Sequence, residues 1–109
     1  MRSWSLNEID VPPQAPEVLV STDEARAIAI ELPAGDKLGE HQVQERAWLV
    51  VVKGHVEVTE PDGEWASGGV GLLVEFGPNE RHEISATEDS RLLLMLSPWP
   101  GKGHPSSPD

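Results

Sequence analysis

Residues 35–54 read GDKLGEHQVQERAWLVVVKG, and this stretch contains the segment that decides the fold. Its run Ala47–Val52 is short, apolar and rich in β-branched side chains, and Lys53-Gly54 ends it. A run of this length and composition is typical of a buried strand and not of a helix. The proline and glycines that precede the run, at positions 33, 35 and 39, predict a loop.

The segments around this run repeat the same pattern. Apolar and polar side chains alternate with period two, and turn residues such as Pro61-Asp62-Gly63 separate one segment from the next. Strands spaced by roughly eight to twelve residues are typical of a sandwich or a barrel. The sequence therefore predicts an all-β fold with further strands at Val18–Val20, Ala25–Leu32, Val56–Val58, Glu64–Ala66, Leu72–Phe76, Arg81–Ala86 and Leu92–Leu96.

The chain length predicts one domain with two distinct ends. At 109 residues the chain fits a single core of ordinary size. We predict an extended N-terminal arm over residues 1–17, tethered by Trp4, Leu6 and Ile9, because three prolines block a helix there. The barrel is predicted over residues 18–97, and residues 98–109 form a tail rich in proline and glycine.

The charge balance excludes two classes of partner. Eight basic and nineteen acidic residues give a formal charge of −11, which repels nucleic acid and anionic membranes. No cysteine is present, so any metal must be bound by histidine, carboxylate or amide oxygen. The sequence shows neither a secretory signal pattern nor an apolar run of about 20 residues, and a cytoplasmic location is expected.

A second stretch, Gly71–His82, reads GLLVEFGPNERH. Together with residues 35–54 it resembles the two motifs of the cupin superfamily, the small RmlC-like jelly-roll proteins. Gly35, His41 and Gly54 fit the first motif, and Gly71 and His82 fit the second. The resemblance implies a cupin-type double-stranded β-helix (jelly-roll) barrel, whose interior holds a small ligand or a metal.

Many cupins bind a divalent metal through three histidines and a glutamate, and this chain departs from that pattern. Val43 occupies the position of one histidine, and Ala47 or Trp48 that of the glutamate. Alternation along an extended strand through residues 41–47 would turn Glu45 inward beside His41. His82 shares a face with apolar residues 84 and 86, which predicts an interior position for this histidine.

Two interpretations of this interior follow from the same residues. His41, Glu45 and His82 can form an open facial triad for a divalent metal such as Fe, Mn, Ni or Zn. The alternative is a metal-free pocket in which the two histidines are hydrogen-bonded, since a site that lacks half of its ligands loses affinity steeply. Gln44 would contribute only if a bulge rotated it inward.

The functional hypotheses differ in class. One is a binding or accessory protein that holds a small ligand without turnover, and another is a metal-dependent dioxygenase or isomerase acting on a small polar molecule. A third is assembly with itself, as a homodimer, or with another protein, with edge strands or Trp48 and Trp99 as candidate contact surface. His55 and His104 are predicted to be ordinary surface residues. The sequence leaves open whether the chain is an enzyme.

Overall fold

The computed structural model describes residues 1–41 and 43–101, with the side chains of Glu40 and His41 outside the description. These residues form nine β-strands and no helix, so nothing among them can cross a membrane as a helix. The strands are β1 (Glu17–Ser21), β2 (Arg26–Leu32), β3 (Lys37–His41), β4 (Arg46–Lys53), β5 (Val56–Thr59), β6 (Trp65–Gly68), β7 (Leu73–Phe76), β8 (His82–Ala86) and β9 (Ser90–Ser97).

The strands form two antiparallel sheets that enclose one core. The five-stranded sheet has the order β1-β2-β9-β4-β7, and the four-stranded sheet has the order β3-β8-β5-β6. Most strand neighbours are distant in sequence, as expected for a jelly roll. The predicted all-β jelly-roll barrel is confirmed.

The core lies where the inner faces of the two sheets meet. In β4 the buried residues Ala47, Leu49 and Val51 alternate with more exposed ones, as the sequence predicts. They pack in one cluster with Leu92 and with residues of β5 and β8. Each large apolar side chain buried in this way contributes about 1.5–3 kcal/mol, which is why the central strands fix the fold.

The structure corrects the prediction for residues 33–47. The segment predicted as a loop contains β3, an edge strand that pairs with β8. Its glycine and charged residues hide the alternation, since Leu38 is the one apolar side chain in Lys37–His41. The continuous strand expected through residues 41–47 is also wrong, because β3 ends at His41 and β4 begins at Arg46 in the other sheet.

The N-terminal arm is held by hydrogen bonds that the sequence does not reveal. Arg91 Nη1 donates to the carbonyl oxygens of Leu6 at 2.9 Å and of Ile9 at 2.6 Å. Arg91 Nε also pairs with Glu31 at 2.8 Å. Val11 of the arm is buried, whereas Trp4, predicted to tether the arm, is exposed. The arm is therefore fixed mainly through its backbone, and the predicted division at residues 17 and 97 stays a prediction.

Candidate functional site

His82, the first predicted site residue, lies inside one end of the barrel. It begins β8, is only 2% exposed, and stacks against Phe76 with ring centroids 3.8 Å apart. Its Nδ1 is 3.4 Å from the carbonyl oxygen of Glu80, which can only accept a hydrogen bond. This contact favours the proton on Nδ1.

Glu45, the second predicted site residue, lies in the bend before β4 and is 1% exposed. Its inward position continues the alternation of Ala47 and Leu49 in β4. The backbone N–H of Gly101 donates to Glu45 Oε2 at 2.6 Å. A buried carboxylate needs such a partner, because desolvation without one is costly. The C-terminal segment thus provides the partner in this site.

The register of the strands gives the relative positions of Glu45 and His82 in the barrel. Ala47 pairs with Phe76 across β4 and β7, and the ring of Phe76 stacks on His82. Glu45 and His82 are therefore at the same end of the barrel, one on each side of the core. The backbone of His41 is the register partner of His82 in β3 and β8. The side chain of His41 lies outside the described residues, so its part in the predicted triad stays a prediction.

A cavity of about 450 Å³ opens at the same end of the barrel, lined by the sequence neighbours of Glu45 but not by Glu45 or His82. Its lining comes from the bend before β4, from the turn between β7 and β8, and from the segment after β9. Most of its surface is apolar, and the polar groups that reach it include two amides, a hydroxyl and a guanidinium. The lining residues are Gln44, Arg46, Pro78, Asn79, Ser97, Pro98 and Gly101.

Comparison with solved structures identifies this architecture. An RmlC-like cupin protein from Desulfovibrio desulfuricans superposes with a TM-score of 0.80 over 90% of this chain and 97% of that chain, at 18% identity. The chain has the cupin fold. KdgF from Halomonas sp. matches with a TM-score of 0.70 at 25% identity, over 83% of this chain and 85% of that chain.

Other cupin-fold neighbours include an enzyme. The DMSP lyase DddQ from Ruegeria pomeroyi DSS-3 matches with a TM-score of 0.71 at 18% identity, over 76% of this chain and 46% of that chain. No family model matches the chain, and no curated protein matches it. The comparisons therefore show the cupin fold, and this fold does not select one function.

The cupin motif residues divide into structural and site residues. Gly54 has a φ of +88°, and Asn79, in the second motif, has a φ of +66°. Asparagine tolerates this left-handed conformation better than most residues, so the turn keeps its shape without glycine. Asn79 N–H donates to the carbonyl oxygen of Val43 at 2.7 Å. This bond connects the two motifs at the site end of the barrel.

The histidines and tryptophans that the sequence predicts to lie on the surface are His55, His104, Trp48 and Trp99. His55 was expected to face solvent, but it is half-buried and its Nδ1 is 3.0 Å from Thr87 Oγ1. Trp99, predicted as contact surface, instead packs against the core of its own barrel. Trp48 is half-buried on the outer side of β4. His104 lies outside the described residues.

An acidic cluster on the β5–β6 hairpin was not predicted. Glu60, Asp62 and Glu64 have carboxylate oxygens within 4.8 Å of one another, the one such group of possible ligands among the side chains described. Partial burial raises the pKa of Glu60 above its ordinary value, and Glu80 and the two hairpin neighbours raise it further. Acidic residues at every second position from 60 to 64 were the sequence pattern from which this cluster could have been predicted. The hairpin begins close to His82, since Thr59 pairs in register with Glu83, and Glu60 and Phe76 line one cavity.

Proposed function

We propose that this cupin binds a small polar ligand at the end of its barrel beside Glu45 and His82, without turning it over. The observation that carries the proposal is the cavity of about 450 Å³, whose lining includes Gly101, the hydrogen-bond partner of the buried Glu45. Small-molecule sites are concave, largely preformed, and lined by a few directed polar groups within an apolar surface. This cavity has that composition.

The polar groups around the cavity support a ligand with both donors and acceptors. The amides of Gln44 and Asn79 offer both kinds of hydrogen bond. Arg46 pairs with Glu75 at 3.5 Å, and both side chains are about half exposed, so the pair contributes little and its guanidinium can turn to a ligand. Glu45 lies behind this lining, and its carboxylate would accept from an N–H or O–H group of a ligand that reaches past Gly101.

A divalent metal is the second candidate occupant, and it would make the chain a metal-dependent dioxygenase or isomerase. Glu45 and His82 are donors of the types that Fe, Mn, Ni or Zn take, and His41 is the register partner of His82. The donors fit a metal only when all three residues contribute, because two ligands hold a divalent ion weakly. When bound, the metal would polarise an oxygen of the substrate. The enzymatic neighbour DddQ shows that the fold supports lyase chemistry.

Titration of simple polar probes tests the proposed function. Glycolate, acetamide and glycerol are added to the protein, and the backbone amide shifts of Gln44 and Asn79 are followed by NMR. We expect at least one probe to shift both amides, and Glu45→Gln to weaken that binding by about tenfold, the effect of one charge-assisted hydrogen bond. Glu57→Gln, an exposed position on β5, is the matched control and should change nothing.

Elemental analysis of the freshly purified protein separates the two candidates. The proposed function predicts far less than one Fe, Mn, Ni or Zn per chain. A near-stoichiometric metal content that disappears in His82→Ala would overturn it and support the metal enzyme. Absence of any shift with all three probes would also contradict it.

We also propose that the chain forms a homodimer in the cytoplasm. The proposed contact is the outer face of the five-stranded sheet, where Trp48 pairs in register with Met95 and Val50 pairs with Leu73 and Leu93. We call these five residues the outer patch. Leu73 is 60% exposed and Met95 is 39% exposed, so apolar surface is continuous across three neighbouring strands. Such a face usually marks association.

A further inference from the structure

The C-terminal segment Pro98–Gly101 occupies the site end of the barrel as a ligand would. We call this segment the C-terminal plug. Its last residue, Gly101, is buried and donates its N–H to Glu45 Oε2 at 2.6 Å. A hydrogen bond from an amide to a carboxylate is charge-assisted and stronger than a neutral one. The plug therefore satisfies the group that the proposed ligand would use.

The backbone of Gly101 lies too close to the barrel for any other residue. A Cβ at this position would be 2.9 Å from the carbonyl oxygen of Gln44 and 3.0 Å from both Cγ and Oε2 of Glu45. The neighbouring backbone cannot move away as the end of a flexible side chain would. The close fit shows that the surface around Glu45 matches a peptide backbone without a side chain at this point.

A second anchor fixes the plug two residues earlier. The Trp99 ring packs against the core cluster, and the guanidinium carbon of Arg26 lies 3.9 Å from the ring centroid. This distance is well within the range of a cation–π contact. Arg26 begins β2, on the opposite side of the five-stranded sheet from β7. The barrel thus holds the plug at two separate points. Arg26 contacts the aromatic ring of Trp99, and Glu45 accepts from the N–H of Gly101.

The buried polar groups of the site, Glu45 among them, are already satisfied by the protein itself. Among the described residues, no buried side-chain nitrogen or oxygen lacks a hydrogen-bond partner. A ligand therefore has to replace a protein partner. Gly101 is the partner that can leave with least disturbance, because it belongs to a short segment after the last strand and not to a sheet.

We propose that the site end of the barrel is a peptide-binding site, which the chain's own plug fills and from which a ligand in solution displaces it. The ligand class is a peptide-like molecule with an aromatic ring for Arg26 and, two residues later, a backbone N–H for Glu45. The inference rests on the proposed function in one respect only, since both assign ligand binding to Glu45. It adds the ligand class and the competition with the plug.

Gly101→Ala in the full chain tests whether the plug can be displaced. The added methyl group cannot fit against Gln44 and Glu45, so the segment should leave the site. We expect backbone hydrogen exchange of Trp99 and of residue 101, the two positions of the plug that carry an N–H, to become faster by at least about tenfold, as for a segment that has lost its local protection. Gly39→Ala is the control, because a Cβ there meets nothing within 4 Å and its φ is not positive.

A peptide added in trans then tests recognition. The probe is fluorescein-labelled SPWPGK, the sequence of residues 97–102, followed by fluorescence anisotropy. It should bind Gly101→Ala at least about tenfold more tightly than the wild type, whose own plug competes. Adding Glu45→Gln to Gly101→Ala should cancel that gain, and the peptide SPWPAK should not bind. If Gly101→Ala does not fold, Trp99→Ala removes the other anchor and serves the same purpose.

The outcomes distinguish this inference from the proposed function. Failure of SPWPGK to bind a variant whose plug exchanges rapidly would overturn the inference, as would equal binding after Glu45→Gln. If glycolate, acetamide or glycerol binds the wild type while residues 98–101 stay protected, the inference also falls and the proposed function stands. If the peptide binds in the expected way but none of these probes does, the inference stands and the small-ligand proposal falls.

Discussion

At the scale of single residues, Gly54 is a motif glycine whose backbone lies very close to another strand. It has a φ of +88°, and a Cβ placed on it would be 2.7 Å from Ser90 Cα. Ser90 is fully buried and its hydroxyl accepts from the N–H of His55 at 3.1 Å. The turn after β4 therefore packs directly against the start of β9, and only glycine leaves room.

Gly54→Ala should lower the free energy of unfolding by about 2–4 kcal/mol, because a strained φ is combined with a steric clash. Gly35→Ala is the matched control, since Gly35 has a φ of +85° but a Cβ there meets nothing within 4 Å. It should cost only about 1–2 kcal/mol from the backbone. Urea denaturation measures both variants, and equal losses would show that the contact with Ser90 contributes nothing.

The sequence predicts the burial of both His82 and Glu45, but only the reasoning for His82 is correct. His82 was expected inside because it alternates with Ile84 and Ala86, and all three are buried in β8. Glu45 was placed inside by a strand through residues 41–47 that does not exist, and it is buried because it continues the alternation of β4. The contact with Gly101 was not predictable, since 56 residues separate the pair and glycine has no side chain to signal it.

At the scale of elements, one side chain of β9 contributes several of the hydrogen bonds that hold the N-terminal arm. Arg91 is 8% exposed and contacts Glu31 and two carbonyl oxygens of the arm. No alternation or motif in the arm indicates this, because the acceptors are backbone atoms. The edge strand β3 was missed for a related reason: its pairing with β8 is specified by backbone hydrogen bonds and by few apolar side chains.

Arg91→Gln should release the arm and lower the free energy of unfolding by about 2–4 kcal/mol, because Glu31 and the two carbonyl oxygens lose their charged partner. Hydrogen exchange over residues 1–16 should accelerate in the folded protein. Lys53→Gln, an exposed position at the end of β4, is the control and should leave both quantities unchanged. An arm that keeps its protection in Arg91→Gln would show that Val11 and the backbone contacts hold it alone.

At the scale of the whole molecule, two parts of the barrel surface differ in polarity. The outer patch is apolar, whereas the β5–β6 hairpin is acidic and contributes to the formal charge of −11. The sequence predicted the closed double sheet because alternation repeats along the chain. It could not say which outer face stays uncovered, since that depends on where the arm lies. The arm reaches β2 and β9 near Glu31 and Arg91, which leaves Met95 at the other end of β9 exposed.

Exposure of the outer patch predicts a dimer that a single charge disrupts. Stable interfaces bury about 1,200–2,000 Å² in total, and a charge at the centre of an apolar contact is desolvated without a partner. Leu73→Glu should therefore convert a dimeric wild type to monomer in light scattering coupled to size exclusion. Val70→Glu is the matched control, because Val70 is 75% exposed but lies on the β6–β7 turn outside the patch. A monomeric wild type, or equal dissociation by both variants, would contradict association through this face.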